Sequence, residues 1–177
     1  HSYLCAMFIQ SPKFTLRPLR MEDAEQMAAF CNNKKLWINM RNRFAHPYHT
    51  EHAEIFIADV LTRDPVNVLG IEIEGKIYGT VGIFPGEDVY NKSGELGYCL
   101  SEEHWGHGIA TEAVKLFLEL YVAKNYNLTR VYATVFGWNP ISRKVLEKNG
   151  FVLEGIGKNA IYKDEEYTDA YRYAKML

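Results

Sequence analysis

"SEEHWGHGIATEAVKLFLELY" (Ser101–Tyr121) decides how this chain is read. Gly106 and Gly108 stand where a helical pattern begins, although glycine costs about 1 kcal/mol relative to alanine inside a helix. Behind them, apolar residues fall at Ala110, Ala113, Val114, Phe117, Leu118 and Tyr121, the repeat of a helix face turned to a core. The spacing predicts a helix over roughly residues 106–124, preceded by a strand, "GELGYCLS" (Gly94–Ser101). The first N–H groups of a helix have no partner within it and lie at the positive end of its dipole. Glycines let another group approach that backbone, and a phosphate or pyrophosphate suits its charge. An ordinary strand–turn–helix junction would read the same way from this stretch alone. Two nucleotide loops are excluded. No Gly-Lys-Ser or Gly-Lys-Thr is present, and Thr111 stands where a dinucleotide fingerprint needs its third glycine.

Outward from this stretch the chain alternates strands and helices. "KFTLRPL" (Lys13–Leu19) reads as a strand ended by Pro18, and "RMEDAEQMAAFCNN" as a helix ending at Asn32 and Asn33. A loop follows, then a helix capped by Thr50. "VNVLGIEIEGKIYGTVGIFP" reads as two strands joined at Glu74-Gly75-Lys76. "TRVYATVF" (Thr129–Phe136) is a strand, and "NPISRKVLEKNG" a helix with Pro140 in its first turn and Gly150 past its end. "GFVLEGIG" and "EYTDAYRYAKM" close the chain as strands. The order is that of a mixed α/β (α+β) domain.

The glycine turn and a second segment, "VYATVFGWNPISRKVLEKNGFVLEG" (Val131–Gly155), together resemble the GNAT superfamily of N-acyltransferases. That family's phosphate loop reads Gln/Arg-x-x-Gly-x-Gly/Ala; Gly108 and Ala110 fit it, and Trp105 replaces the usual Gln or Arg. Trp105 in this setting, and "LRPLRMEDAEQM" near the start, are similar to the RimJ/RimL-type subgroup, which acetylates ribosomal-protein N-termini. The resemblance covers residues 13–177 as a single domain. Residues 1–12 are read as an N-terminal extension, foreign in part to the natural chain. The fold it implies is a mostly antiparallel sheet of about six or seven strands flanked by helices, with a splayed strand pair holding CoA.

The implied activity is transfer of an acetyl group from acetyl-CoA, as co-substrate, to a primary amine. It proceeds by direct attack in a ternary complex and needs no metal. The resemblance implies that the backbone of Trp105, Gly106, His107, Gly108, Ile109, Ala110 and Thr111 cradles the pyrophosphate. It further implies that the strand at Tyr98, Cys99 and Leu100 offers free backbone to the pantetheine arm, and that Asn139 contacts the same arm. Asn139 equally suits a helix N-cap before Pro140. Ser142 matches the position of a hydroxyl that protonates the leaving thiolate, though a serine in a first turn needs no such role. Alternation places Glu95, Gly97 and Cys99 on one strand face and Leu96, Tyr98 and Leu100 on the other. Glu95 is the candidate base, or else a substrate-binding or surface carboxylate, since an α-amine titrates near 8 and water can carry its proton. Cys99 has no attendant base and reads as a small strand residue.

The acceptor side is implied to be the loop "NMRNRFAHPYHTEHA" (Asn39–Ala53), with Arg41, His46, Tyr48 and Glu95 as substrate contacts; a solvated loop would look alike. His46, His49 and His52 lack an acidic partner for a metal site. Tyr162, Glu165, Glu166, Tyr167 and Asp169 near the end could hold a cationic amine, or simply decorate a turn. A peptide N-terminus, a polyamine such as spermidine, and another small amine all remain open as acceptors. A non-catalytic acyl-CoA-binding domain is the alternative to an enzyme.

Composition sets the outer bounds. The 177 residues carry a net charge of −2, so no general nucleic-acid binding is expected. No apolar run reaches membrane-spanning length. Three scattered cysteines, Cys5, Cys31 and Cys99, suit a reducing cytoplasm rather than a disulfide framework. The opening "HSYLCAM" lacks the features of a signal peptide. Monomer and homodimer are both compatible with this reading.

Overall fold

The protein is described from a computed structural model that covers residues 8–177; the opening seven residues, Cys5 among them, lie outside the described residues. The strands are β1 (Ile9–Gln10), β2 (Thr15–Pro18), β3 (Val68–Ile73), β4 (Lys76–Pro85), β5 (Ser93–Leu100), β6 (Arg130–Phe136), β7 (Val152–Lys163) and β8 (Glu166–Met176). They form one sheet in the order β1-β2-β3-β4-β5-β6-β8-β7. The count is eight rather than six or seven. The extra strand is β1, whose two residues are too few to show alternation and lie within the stretch read as an extension. β7 runs on past "GFVLEGIG" to Lys163, with irregular register at Leu153/Gly155 and Gly157/Ile161.

Every pairing is antiparallel except β5 with β6. That parallel pair joins Ser93, Gly94 and Glu95 to Arg130, Val131 and Tyr132, and there it stops. β4 stays paired to β5 as far as Leu100, and β8 stays paired to β6 as far as Phe136. The sheet therefore opens as a wedge beyond Glu95.

Helices cover both faces. On one lie α1 (Ala24–Cys31), α2 (Lys34–Trp37) and α3 (Thr50–Leu61), whose apolar residues pack with Leu19, Val68 and Ile77. On the other lie α4 (Ile109–Leu116), a π-helical stretch (Phe117–Val122), α5 (Ala123–Asn125) and α6 (Pro140–Lys148). The predicted stripe is buried there: Ala113, Val114, Phe117, Leu118 and Tyr121 sit in the larger core with Leu96, Val131 and Val135. The long helix starts at Ile109, later than expected. Its π-register keeps both Tyr121 and Val122 inward, and the Tyr121 hydroxyl reaches the Val66 carbonyl at 2.7 Å.

Two local features differ from the sequence reading. α2 follows directly on Asn32 and Asn33, which mark only an end in the sequence; Asn33 also caps α2, its Oδ1 accepting from Lys35 N at 2.8 Å. α3 is capped at His49 rather than Thr50, with His49 N donating to His52 Nδ1 at 2.9 Å. Arg17 on β2 is 2% exposed and forms ion pairs with Asp23 (2.8 Å) and Glu72.

Candidate active site

The wedge between β5 and β6 is where the sequence-derived residues converge. At its apex Glu95, the last paired residue of β5, accepts a 2.5 Å hydrogen bond from Arg41 Nη2 in the α2–α3 loop. Strand alternation puts Tyr98 on the other face of β5. There its hydroxyl lies 2.6 Å from Ser142 Oγ and 3.1 Å from the Ser142 carbonyl, in the first turn of α6. Burial raises the Tyr98 phenol to about 12. A group held in the wedge would thus meet a carboxylate from one side and a hydroxyl pair from the other.

The wide end carries the glycine turn. Gly106 and Gly108 have φ of 79° and 75°, and a Cβ on either would meet nothing within 4 Å. Gly108 caps α4 in the left-handed conformation, so the first amides of α4 open onto free space. This is the opening a pyrophosphate needs, and the residues fit the group. Lys13 Nζ donates to the His107 carbonyl at 2.7 Å and steadies the turn. Trp105 Nε1 donates to the Leu100 carbonyl at 2.7 Å and fixes the end of β5. The side chains of Ile109 and Leu100 are buried in the core, and Ala110 packs against it, so only their backbones face a ligand. Thr111 offers its carbonyl to Asn149 Nδ2 at 3.1 Å.

Asn139 is the α6 N-cap, its Oδ1 accepting from Ser142 N at 3.3 Å. That bond sets Ser142 on the face of α6 that meets Tyr98. Cys99 faces the α1–α3 side, its sulfur 3.3 Å from Thr80 Oγ1, and burial raises its thiol. It has no base beside it.

The acceptor candidates separate. Arg41 stands at the apex, and the exposed His46 stacks on Trp37 with centroids 5.2 Å apart. Tyr48 does not join them. It is buried under α1 and α3 against Phe44 and His52, because "AHPY" turns its ring into the smaller core. Asp169 is also withdrawn, accepting from Asn159 N (2.9 Å) and Lys158 Nζ (3.1 Å), and the backbone bond leads in lowering its pKa.

Across the mouth lies α2. At one end Asn33 Nδ2 (2.8 Å) and Lys35 bind Glu102, just past β5. From the same first turn, Lys34 pairs with Asp164 at 3.2 Å in the β7–β8 turn. The buried Lys163 Nζ sits 3.8 Å from the centre of the Trp37 ring and 3.1 Å from Asn42 Oδ1. A cavity of about 440 Å³ opens here between Lys34, Lys35, Ile38, Trp138, Lys163 and Glu166. Sequence reading missed Trp37 and Lys163, since nothing local marks a lysine at the end of a strand as buried.

No three metal-ligating side chains cluster among the described residues, and no helix there is long and apolar enough to cross a membrane. An open strand pair, a free helix N-terminus at its wide end and a hydroxyl pair beside it are features that an acyl transfer could use. The chain belongs to the GNAT acetyltransferase family: the model of the acetyltransferase (GNAT) domain matches residues 13–152. It is an acetyl-CoA-dependent N-acetyltransferase. Over 87 residues it is 37% identical to the ribosomal-protein-serine acetyltransferase of Escherichia coli (strain K12), a match spanning 49% of this chain and 48% of that enzyme. It is 27% identical over 159 residues to the spermidine N(1)-acetyltransferase of the same strain, covering 89% of this chain and 82% of that one. The solved structure of RimL, the ribosomal L7/L12 alpha-N-protein acetyltransferase in complex with coenzyme A, shares the fold. Its TM-score is 0.84 at 21% identity, over 96% of this chain and 98% of that one.

Proposed function

We propose that the acceptor is the α-amine of a protein or peptide N-terminus, acetylated by direct attack in a ternary complex. The observation that carries this reading is the opening of the sheet at Glu95, with a carboxylate on one face and a hydroxyl pair on the other. Acetyl-CoA supplies the activated acetyl thioester. The amides of residues 105–111 hold its pyrophosphate, and the free edge of β5 at Tyr98–Leu100, with Asn139, holds the pantetheine arm. Glu95 takes the proton of the incoming amine, and Ser142 gives one to the leaving sulfur.

Charge near the apex favours a peptide over a polyamine. A polyamine brings further ammonium groups that need free carboxylates. Four carboxylates around the cleft already have cations of their own, Glu95 with Arg41, Glu102 with Lys35, Asp164 with Lys34 and Asp169 with Lys158, while Glu165 and Glu166 sit at the β7–β8 turn, at the far end of β8 from the Tyr132–Ala174 pair beside Glu95. A peptide brings one amine and then neutral carbonyls, which Arg41 and His46 can meet as donors. The free thiols of Cys31 and Cys99 suit a reducing, cytoplasmic setting.

Thiol release from acetyl-CoA is measured against Ala- and Ser-starting peptides, spermidine, an aminoglycoside and free amino acids, beside CoA calorimetry. Release is expected with the peptides. Release with spermidine alone would make the enzyme a polyamine acetyltransferase, and CoA binding with no release from any amine would argue for a binding domain. With the best acceptor, Glu95→Gln and Ser142→Ala should each lower kcat about 10²-fold, the low end for a positioned acid or base. The KM for acetyl-CoA should hardly move.

A further inference from the structure

The bond between Tyr98 and Ser142 admits two proton arrangements. Each hydroxyl has one proton and can also accept. In the first, the phenol donates to Ser142 Oγ, 2.6 Å away, and the serine proton is left free to point elsewhere. In the second, the phenol donates to the Ser142 carbonyl at 3.1 Å and accepts the serine proton, which is then engaged. Only the first leaves Ser142 a donor.

We propose that Tyr98 is the positioning residue for Ser142, holding Oγ by donating to it so that the serine proton is presented to the leaving sulfur. This rests on the reading of Ser142 as proton donor. The balance is simple. The C–N bond forms and the C–S bond breaks. The nitrogen loses one proton to Glu95, and the sulfur, leaving with the bonding pair, takes one from Ser142, which solvent restores. Burial raises the Tyr98 phenol to about 12, so it stays protonated and remains a donor to Oγ throughout the working range. Burial is the main cause of that shift, and no charged group contributes to it. Arg143, the adjacent residue on α6, is stacked instead on Tyr171, 4.3 Å from the ring centre.

A double-mutant cycle tests the assignment. Tyr98→Phe removes one oxygen and keeps the ring in the core. It should lower kcat about tenfold, the scale of one lost neutral hydrogen bond, and leave the KM for acetyl-CoA within about twofold. In the Ser142→Ala background it should cost nothing further. If Ser142→Ala impairs turnover but Tyr98→Phe does not, or if the two losses multiply, Tyr98 does not act through Ser142 and the proposal falls. If Ser142→Ala itself is harmless, the proton-donor reading fails, and this one with it. A second readout keeps the fold constant. Replacing Tyr98 by 3,5-difluorotyrosine, whose phenol ionises at lower pH, should preserve neutral-pH turnover and add an alkaline limb to the kcat profile, because a phenolate cannot donate. An unchanged profile would overturn the proposal.

Discussion

Valine in place of Gly108 is expected to remove most CoA binding while the domain stays folded. Gly108 has φ 75°, and a Cβ there meets no protein atom within 4 Å, so valine would not clash with the fold. Its cost to folding is the left-handed backbone, about 1–2 kcal/mol. Its cost to binding is larger, because the side chain fills the space in front of the first amides of α4. Losing two hydrogen bonds to a charged group would cost about 3–6 kcal/mol, on the order of 10²–10⁴-fold in affinity. Gly75 is the matched control. It has φ 80°, also has open space around a Cβ, and lies in the turn between β3 and β4. Gly75→Val should lower the melting temperature by a similar amount and leave CoA affinity intact. Calorimetry and thermal melts on both variants decide the matter. Equal CoA affinity in the two would remove the pyrophosphate assignment.

Arg17→Ala is expected to destabilise the fold more than any active-site change. The guanidinium donates to Asp23 Oδ1 and Oδ2 at 2.8 and 2.9 Å, to the Pro18 carbonyl at 3.0 Å, and to Glu72. Asp23, only 9% exposed, also accepts from Arg20 N at 2.7 Å, which fixes the turn into α1. Removing the arginine strands a buried carboxylate, at about 3–5 kcal/mol for a buried pair broken on one side. Denaturant unfolding should show that loss as a lower midpoint with an unchanged slope. Arg17→Met with Asp23→Leu and Glu72→Leu should recover much of it, since an apolar replacement of the whole group leaves no orphan charge. A single Arg17→Ala variant as stable as the parent would show that the network contributes nothing.

Much of this was legible in the sequence, and the limits are physical. The periodicity from Ala110 to Tyr121 located the helix face correctly because burial there follows one face of one helix. Strand alternation placed Glu95 and Tyr98 on opposite faces of β5, and the structure finds Arg41 against one and Ser142 against the other. The identity of those partners was not legible, because they are 54 and 44 residues away in the chain. Tyr48 misled for the same reason. A tyrosine in a polar loop looks exposed until the loop folds over a core. β1 and α2 were missed because two or four residues carry no readable period.

The parting of β5 from β6 also makes the molecule, mechanically, two plates on a short hinge with a strut across the open side. The larger core runs beneath both plates, joining Leu96 of one to Val131 and Val135 of the other, and the smaller lies against the first alone. The hinge is three residues of paired backbone per strand, and the strut is α2. Its fastenings differ in kind. Lys35–Glu102 and Lys34–Asp164 lie in solvent and weaken as ionic strength rises, whereas Lys163 against Trp37 is buried and largely shielded from salt. Raised salt should therefore loosen α2 first where it meets β5, at the pair of Lys35 and Glu102.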